Sequence, residues 1–322
     1  MENKIELQSE IARVQNLDLL ARQVVEGFLI GLHKSPFHGF SVEFAEHRLY
    51  NPGESTRTID WKVYARTDRL YTKKFEEETN LRCQIIVDAS SSMFYPDVKE
   101  AISGMRKIDF AGIAAAAIMQ LLRKQRDAFG LTIFSDGVEM NSRVKSNSVH
   151  YQYLLGEIEN VLNRPAGKKK TAAAECLHEV ADKIHRRSLV VIFSDMFENF
   201  SGSALRQGAL EENDEFIAIF SALQHLKHNK HEVILFHVLD HAKELEFEFA
   251  NRPYRFIDLE TGDQVKLTPS QVKENYVRQM KDFHTLLKLK CGQYKIDLVE
   301  ANINLGFRQI LLPYLTKRVK FN

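Results

Sequence analysis

Ile85-Ile-Val87 runs directly into Asp88-Ala-Ser90-Ser-Ser92, and this junction of an apolar run with a polar loop indicates the fold class. An apolar run that ends in polar residues is typical of a buried strand in a parallel sheet. Carboxylate and hydroxyl oxygens are hard ligands, which suit Mg²⁺ or Mn²⁺. The junction therefore predicts a cation-binding loop at the carboxyl end of a strand.

Further apolar runs follow, and segments with helical periodicity separate them. The predicted strands are Cys83 to Asp88, Phe129 to Phe134, Ser188 to Asp195 and Glu232 to Leu239. The predicted helices are Ile108 to Gln125, Val149 to Val161 and Thr171 to Arg186. Buried strands that alternate with helices predict an α/β fold with a doubly wound, mostly parallel sheet.

The first 80 residues have a different pattern, which predicts an N-terminal layer. Apolar residues at helical spacing from Leu17 to His33 predict an amphipathic helix. The segment from His38 to Glu78 is rich in Arg and aromatic residues and predicts short strands and ordered loops. We therefore predict a helix and an Arg-rich layer over residues 1–80, packed on a main domain over residues 81–322.

The main domain carries a predicted insertion at about residues 243–268. Short alternating segments with turn residues between them predict a small antiparallel excursion there. Its strands are predicted at Glu246 to Phe249, Tyr254 to Asp258 and Gln264 to Leu267. A strand from Tyr294 to Val299 and a helix from Leu305 to Leu315 are predicted to close the sheet.

Composition limits the partners and the location of the protein. With 44 Lys and Arg against 43 Asp and Glu, the net charge of +1 argues against nucleic acid or an anionic membrane as the dominant partner. No apolar run reaches the roughly 18 residues of a membrane span, and no cationic start leads into an apolar segment, so we predict a cytoplasmic protein. The distant cysteines Cys83, Cys176 and Cys291 lie in apolar patterns and are predicted to be reduced core residues.

Two more polar residues are predicted at the same edge of the sheet. Thr171 opens a helix after the lysine-rich loop 167–170, and Asp195 ends a predicted strand. In open parallel sheets, ligands bind outside the carboxyl ends of the strands. The candidate metal ligands are therefore Asp88, Ser90, Ser92, Thr171 and Asp195. The structural alternative is that Asp88 caps the next helix and that the serines are turn residues.

These five residues resemble, in order and spacing, the metal-ion-dependent adhesion site of the von Willebrand factor A domain. The sequence upstream resembles the segment before that domain in the bacterial family called domain of unknown function 58. This second resemblance is carried by Gly39 to Tyr50, Pro52-Gly53-Glu54, Arg57, Ile59 to Thr67, Asp68-Arg69-Leu70-Tyr71 and Phe75 to Glu78. Together the two resemblances cover roughly Leu17 to Phe200.

The resemblance implies a von Willebrand A-like, Rossmann-type domain that binds an acidic group of a protein partner through Mg²⁺ or Mn²⁺. In such a site Ser90, Ser92 and Thr171 would be direct ligands, and Asp88 and Asp195 would act through water. Sites of this design bind the ion weakly without a ligand. Members of the family are typically encoded beside MoxR-type AAA+ ATPases, which implies that the partner is such an ATPase or its client.

The sequence departs from the adhesion-site pattern at two positions. Lysines 168–170 precede Thr171 where glycines are common, and Met196 follows Asp195 where the pattern often has Gly. Cationic side chains beside a cation site would either weaken binding of the ion or attract an acidic partner.

A non-enzymatic interaction module is the leading functional hypothesis, and two alternatives stay open. The first is a metal-dependent phosphohydrolase with Asp88 as nucleophile, since carboxylates form aspartyl-phosphates. Against it, phosphatases of the haloacid dehalogenase type have a second Asp where this chain has Ser90. The second alternative is metal-independent binding of an acidic or phosphorylated partner through the Arg-rich N-terminal layer, with Arg57 and Arg66 as contacts.

Overall fold

The computed structural model describes residues 16–28, 47–49, 61–73, 81–97, 102–165, 172–196, 214–259 and 262–319. Along these ranges the helices are α1 (16–28), α2 (Trp61–Thr67), α3 (Lys107–Lys124), α4 (Ser148–Leu162), α5 (Ala173–Lys183), α6 (Asp214–His228), α7 (Pro269–Gln293) and α8 (Arg308–Val319). The strands are β1 (His47–Leu49), β2 (Tyr71–Lys73), β3 (Arg82–Asp88), β4 (Ala128–Phe134), β5 (Val138–Asn141), β6 (Leu189–Ser194), β7 (Glu232–Leu239), β8 (Tyr254–Ile257), β9 (Gln264–Leu267) and β10 (Asp297–Asn302).

The chain divides into two units by contact density. The larger unit comprises Met1–Phe28 and Leu81–Phe321, and the smaller comprises Leu29–Asn80. In the smaller unit β1 pairs antiparallel with β2, and α2 lies between them in sequence. The predicted boundary at residue 80 stays a prediction.

A six-stranded sheet in the order β10-β7-β6-β3-β4-β5 forms the centre of the larger unit. The first five strands are parallel to their neighbours, and β5 is an antiparallel edge strand. The chain passes from β3 to β4 on one side and later returns to β6 on the other side. This confirms the predicted doubly wound, mostly parallel α/β sheet and places its switch point between β3 and β6.

Helices cover the sheet because their apolar residues recur at helical spacing. Helix α3 is rich in alanine and buried over most of its surface. Helix α1 buries Leu17, Ala21 and Val25, and its Asp18 Oδ1 accepts a 2.8 Å hydrogen bond from the hydroxyl of Tyr151 on α4. The three cysteines are buried free thiols, as predicted. Among the described residues, no helix combines the length and apolar character needed to cross a membrane.

The predicted insertion forms one two-stranded sheet, β8 with β9, and the prediction of a strand from Glu246 to Phe249 was wrong. Phe247 has a φ of 50°, which is left-handed and incompatible with a continuous strand. Its ring lies 4.6 Å from that of Tyr276 and 4.9 Å from that of Phe249. The alternation of polar and apolar residues that predicted a strand therefore reflects an aromatic cluster. A one-turn π-helix, His241–Leu245, precedes this cluster.

Gly130 on β4 provides a first testable prediction, because a Cβ there would lie 2.5 Å from Gln84 Oε1 and 3.0 Å from the Ser142 carbonyl oxygen. We expect Gly130→Ala to lower the free energy of unfolding by about 1–3 kcal/mol through overpacking. Gly156→Ala on α4 is the matched control, since nothing lies within 4 Å of that site. The control should gain up to about 1 kcal/mol in urea unfolding. Equal effects of the two changes would contradict the packing argument.

Candidate metal centre

Asp88 ends β3 at the switch point, and its side chain is fully buried. The backbone N–H of Ser90 donates to Oδ1 at 2.9 Å, and the hydroxyl of Ser194 donates to Oδ2 at 2.6 Å. The first bond is a local Asx turn, which fixes the loop because an Asp side chain can bond the backbone two residues on. Asp88 is therefore held in place by its own loop and by the neighbouring strand β6.

The two predicted serine hydroxyls lie together beside Asp88. Ser90 Oγ and Ser92 Oγ are 3.1 Å apart, with Ser90 buried and Ser92 half-buried at the start of a short 3₁₀ turn. Adjacent ligands of an octahedral Mg²⁺ ion lie about 3.0 Å apart when each is about 2.1 Å from the ion. The two hydroxyls therefore have a separation that fits neighbouring positions in one coordination shell.

Asp195 reaches the same edge from β6. Val87 on β3 is in register with Phe193 on β6, so the residues that follow each strand lie at one edge of the sheet. The Asp195 side chain is fully buried, and its backbone carbonyl accepts a 2.8 Å hydrogen bond from His237 Nε2 on β7. A carbonyl oxygen only accepts, so Nε2 carries the proton. Burial lowers the pKa of His237 to about 4, which keeps the ring neutral at pH 7.

The charges of this edge favour a cation. Burial, and secondly the nearby negative charge of Asp195, raise the pKa of Asp88 to about 7. Two buried carboxylates in one place repel each other, and a divalent ion would relieve this repulsion. The donors present are hydroxyls and carboxylates, the ligand types that Mg²⁺ and Mn²⁺ prefer. The residues described at this edge therefore fit such an ion.

Thr171 lies outside the described residues, as do lysines 168–170. The next residue, Ala172, donates its backbone N–H to the carbonyl of Ser135 at 2.9 Å, just after β4. Of the five predicted ligands, the structure therefore brings Asp88, Ser90, Ser92 and Asp195 to one edge. In the described ranges, no group of three or more His, Cys, Asp and Glu side chains is arranged to hold a metal ion.

Three further residues at this edge were not predicted from the sequence. Ser194 bridges two loops, because its hydroxyl donates to Asp88 and also accepts the Met196 N–H at 2.9 Å. The Lys107 ammonium is buried and lies 2.8 Å from Asp195 Oδ2 and 2.5 Å from Glu244 Oε1. Lys107 lies in the first turn of a helix, where basic residues are disfavoured. This conflict with the helix dipole was the one sign in the sequence that Lys107 has a special role. Glu244 had no local signal.

Met196, where the adhesion-site pattern often has Gly, has a φ of 53°. Glycine adopts this conformation freely, whereas a residue with a Cβ loses about 1–2 kcal/mol. The Met196 side chain is 2% exposed and packs in the core, which offsets this cost. The backbone after Asp195 therefore still adopts a turn that glycine would favour, although the residue there is Met.

Several solved structures are similar to this chain. BatB, a conserved hypothetical protein from Bacteroides thetaiotaomicron, is 12% identical, with 74% of this chain and 99% of that chain covered and a TM-score of 0.40. The VWA domain of SpRpn10 is 12% identical, with 72% and 93% covered and a TM-score of 0.36. At these TM-scores the likeness adds nothing to the topology described above.

Uncharacterized proteins of Mycobacterium bovis and Mycobacterium tuberculosis are each 28% identical over 184 residues. The match covers 57% of this chain and 56% of each relative, so the chain spans about half the length of these curated relatives. The family model described as "Protein of unknown function DUF58" matches residues 46–285. This match extends over most of the chain, which therefore belongs to the DUF58 family.

Proposed function

We propose that the protein is a non-enzymatic interaction module that binds an acidic group of a protein partner through Mg²⁺ or Mn²⁺. The observation that supports this most is the pair of serine hydroxyls, 3.1 Å apart, beside two buried carboxylates at the switch point of the sheet. Ser90, Ser92 and Thr171 would bind the ion directly. Asp88 and Asp195 would act through water and keep the ion short of negative ligands, so that it attracts a carboxylate from outside.

Calorimetric titration of Mg²⁺ and Mn²⁺ into chelator-treated protein tests the site. We expect saturable binding to the wild-type protein and at least tenfold weaker binding to Ser90→Ala/Ser92→Ala, because the double change removes two direct ligands. Ser146→Ala, an exposed serine in the loop before α4, is the control and should bind like the wild type. Equal binding by the double variant and the control would refute the assignment.

The proposed partner is a MoxR-type AAA+ ATPase or its client, as the family resemblance implies, and the proposed location is the cytoplasm. If the ion carries the contact, a purified MoxR-type ATPase should bind the wild-type protein in Mg²⁺ and lose that binding in chelator. The Ser90→Ala/Ser92→Ala variant should fail in both conditions. If this variant still binds in chelator, the result would support metal-independent binding through the Arg-rich N-terminal layer. Arg57 of that layer lies outside the described residues.

The phosphohydrolase alternative has less support from the geometry of Asp88. A nucleophilic carboxylate needs an oxygen that can approach phosphorus, whereas Asp88 is fully buried and both its oxygens accept hydrogen bonds. Turnover of a generic phosphate ester that disappears in Asp88→Asn would reverse this ranking.

A further inference from the structure

A buried lysine stands beside the proposed cation site. The Lys107 side chain is 1% exposed, and its Nζ lies 2.8 Å from Asp195 Oδ2. A full positive charge this close to a carboxylate that serves a divalent ion would repel the ion, since charges interact strongly away from water. The proposed site therefore needs a second group that cancels the charge of Lys107.

Glu244 has the position and the charge for this role. Its Oε1 lies 2.5 Å from Lys107 Nζ, and its Oε2 accepts the backbone N–H of Asp240 at 2.8 Å. The side chain is 13% exposed, so both of its oxygens are fixed and largely removed from water. Glu244 lies in the π-helix His241–Leu245, after β7. Its contact with Lys107 therefore joins a segment far along the chain to the sheet edge that carries the proposed cation site.

We propose that Glu244 is a positioning residue of the cation site, whose carboxylate holds the Lys107 ammonium and cancels its charge so that Asp195 can serve a divalent ion. This inference rests on the proposed function. When all carboxyl groups are ionised, two net negative charges remain on the four side chains Glu244, Lys107, Asp195 and Asp88. Without Glu244 they carry one, and a site with less negative charge binds a dication less tightly.

Four proteins test this inference by Mg²⁺ calorimetry at one pH: the wild type, Glu244→Gln, Lys107→Met/Glu244→Gln, and Glu246→Gln. Glu244→Gln should bind Mg²⁺ at least tenfold more weakly. The double variant restores two net negative charges and should bind within about threefold of the wild type. Glu246 is exposed and lies just after the same turn, so Glu246→Gln controls for a general loss of surface charge.

The outcomes separate this inference from the proposed function. If the wild type binds Mg²⁺ and Glu244→Gln binds equally well, Glu244 has no such role, while the cation site stands. A double variant that binds at least tenfold more weakly than the wild type also overturns the inference, since a merely structural role would not be rescued by removing Lys107. This second comparison, of wild type with double variant, does not require Glu244→Gln to fold. If the wild type binds neither ion, the proposed function fails and this inference with it.

Discussion

Lys107→Met is expected to lower the free energy of unfolding in chelator by about 3–5 kcal/mol, because it leaves buried carboxylates without their ammonium partner. Methionine has nearly the length of lysine, so the change removes charge with little loss of volume. Lys107 is fully buried, and both Asp195 and Glu244 lie within hydrogen-bond distance of it. Equilibrium urea unfolding, followed by circular dichroism, measures the loss.

A second lysine provides the control for this prediction. Lys317 Nζ also bridges two carboxylates, Glu232 at 2.8 Å and Asp297 at 2.7 Å, but those carboxylates are 38% and 49% exposed. Solvent screens such pairs, so Lys317→Met should cost only about 1 kcal/mol or less. Adding Glu244→Gln to Lys107→Met should recover much of the stability. Similar losses of unfolding free energy in Lys107→Met and Lys317→Met would show that burial does not determine how strongly Lys107 and its two carboxylates stabilise the fold.

The strands of the sheet were predictable where both faces are buried. Strand β6 is a continuous apolar run, and the structure has it at Leu189–Ser194 within one residue of the predicted span. The last strand was misplaced by about three residues, because β10 is a partly exposed edge strand with polar residues. Tyr294, its predicted first residue, instead caps helix α7. Edge strands lack the continuous apolar run on which such predictions depend.

The candidate site was predictable only in the parts that follow from strand ends. Asp88 comes directly after a buried apolar run, and Asp195 is separated from another such run only by Ser194. Parallel strands bring such residues to one edge. The link from Lys107 to Glu244 joins residues 137 positions apart in sequence, and no periodicity in either segment points to the other. Contacts of this kind depend on the packing of α3 against the end of β7, which only the folded chain defines.

Asp88→Asn is expected to make the chelator-treated protein more stable above pH 7 and to abolish its stabilisation by Mg²⁺. The native pKa of Asp88 is about 7, against an ordinary value of 3.8. A carboxyl group with a raised native pKa favours folding most below pH 4, and this contribution is lost as the pH rises through 7. At pH 8 the ionised group therefore destabilises the fold by up to about 4 kcal/mol, a cost that asparagine does not have.

The side chain of asparagine keeps the local hydrogen bonds, which makes Asp88→Asn a test of charge rather than of packing. Its oxygen can still accept from the Ser90 N–H, and its amide can donate to the Ser194 hydroxyl, which can act as donor or acceptor. Urea midpoints at pH 5 and pH 8, with and without Mg²⁺, measure the effect. The wild type should gain stability from Mg²⁺ mainly at pH 8, where Asp88 is ionised, and the variant should gain none at either pH. A variant that is less stable than the wild type at pH 8 in chelator would mean that ionised Asp88 does not destabilise this edge. The case for a cation there would then lose its electrostatic basis.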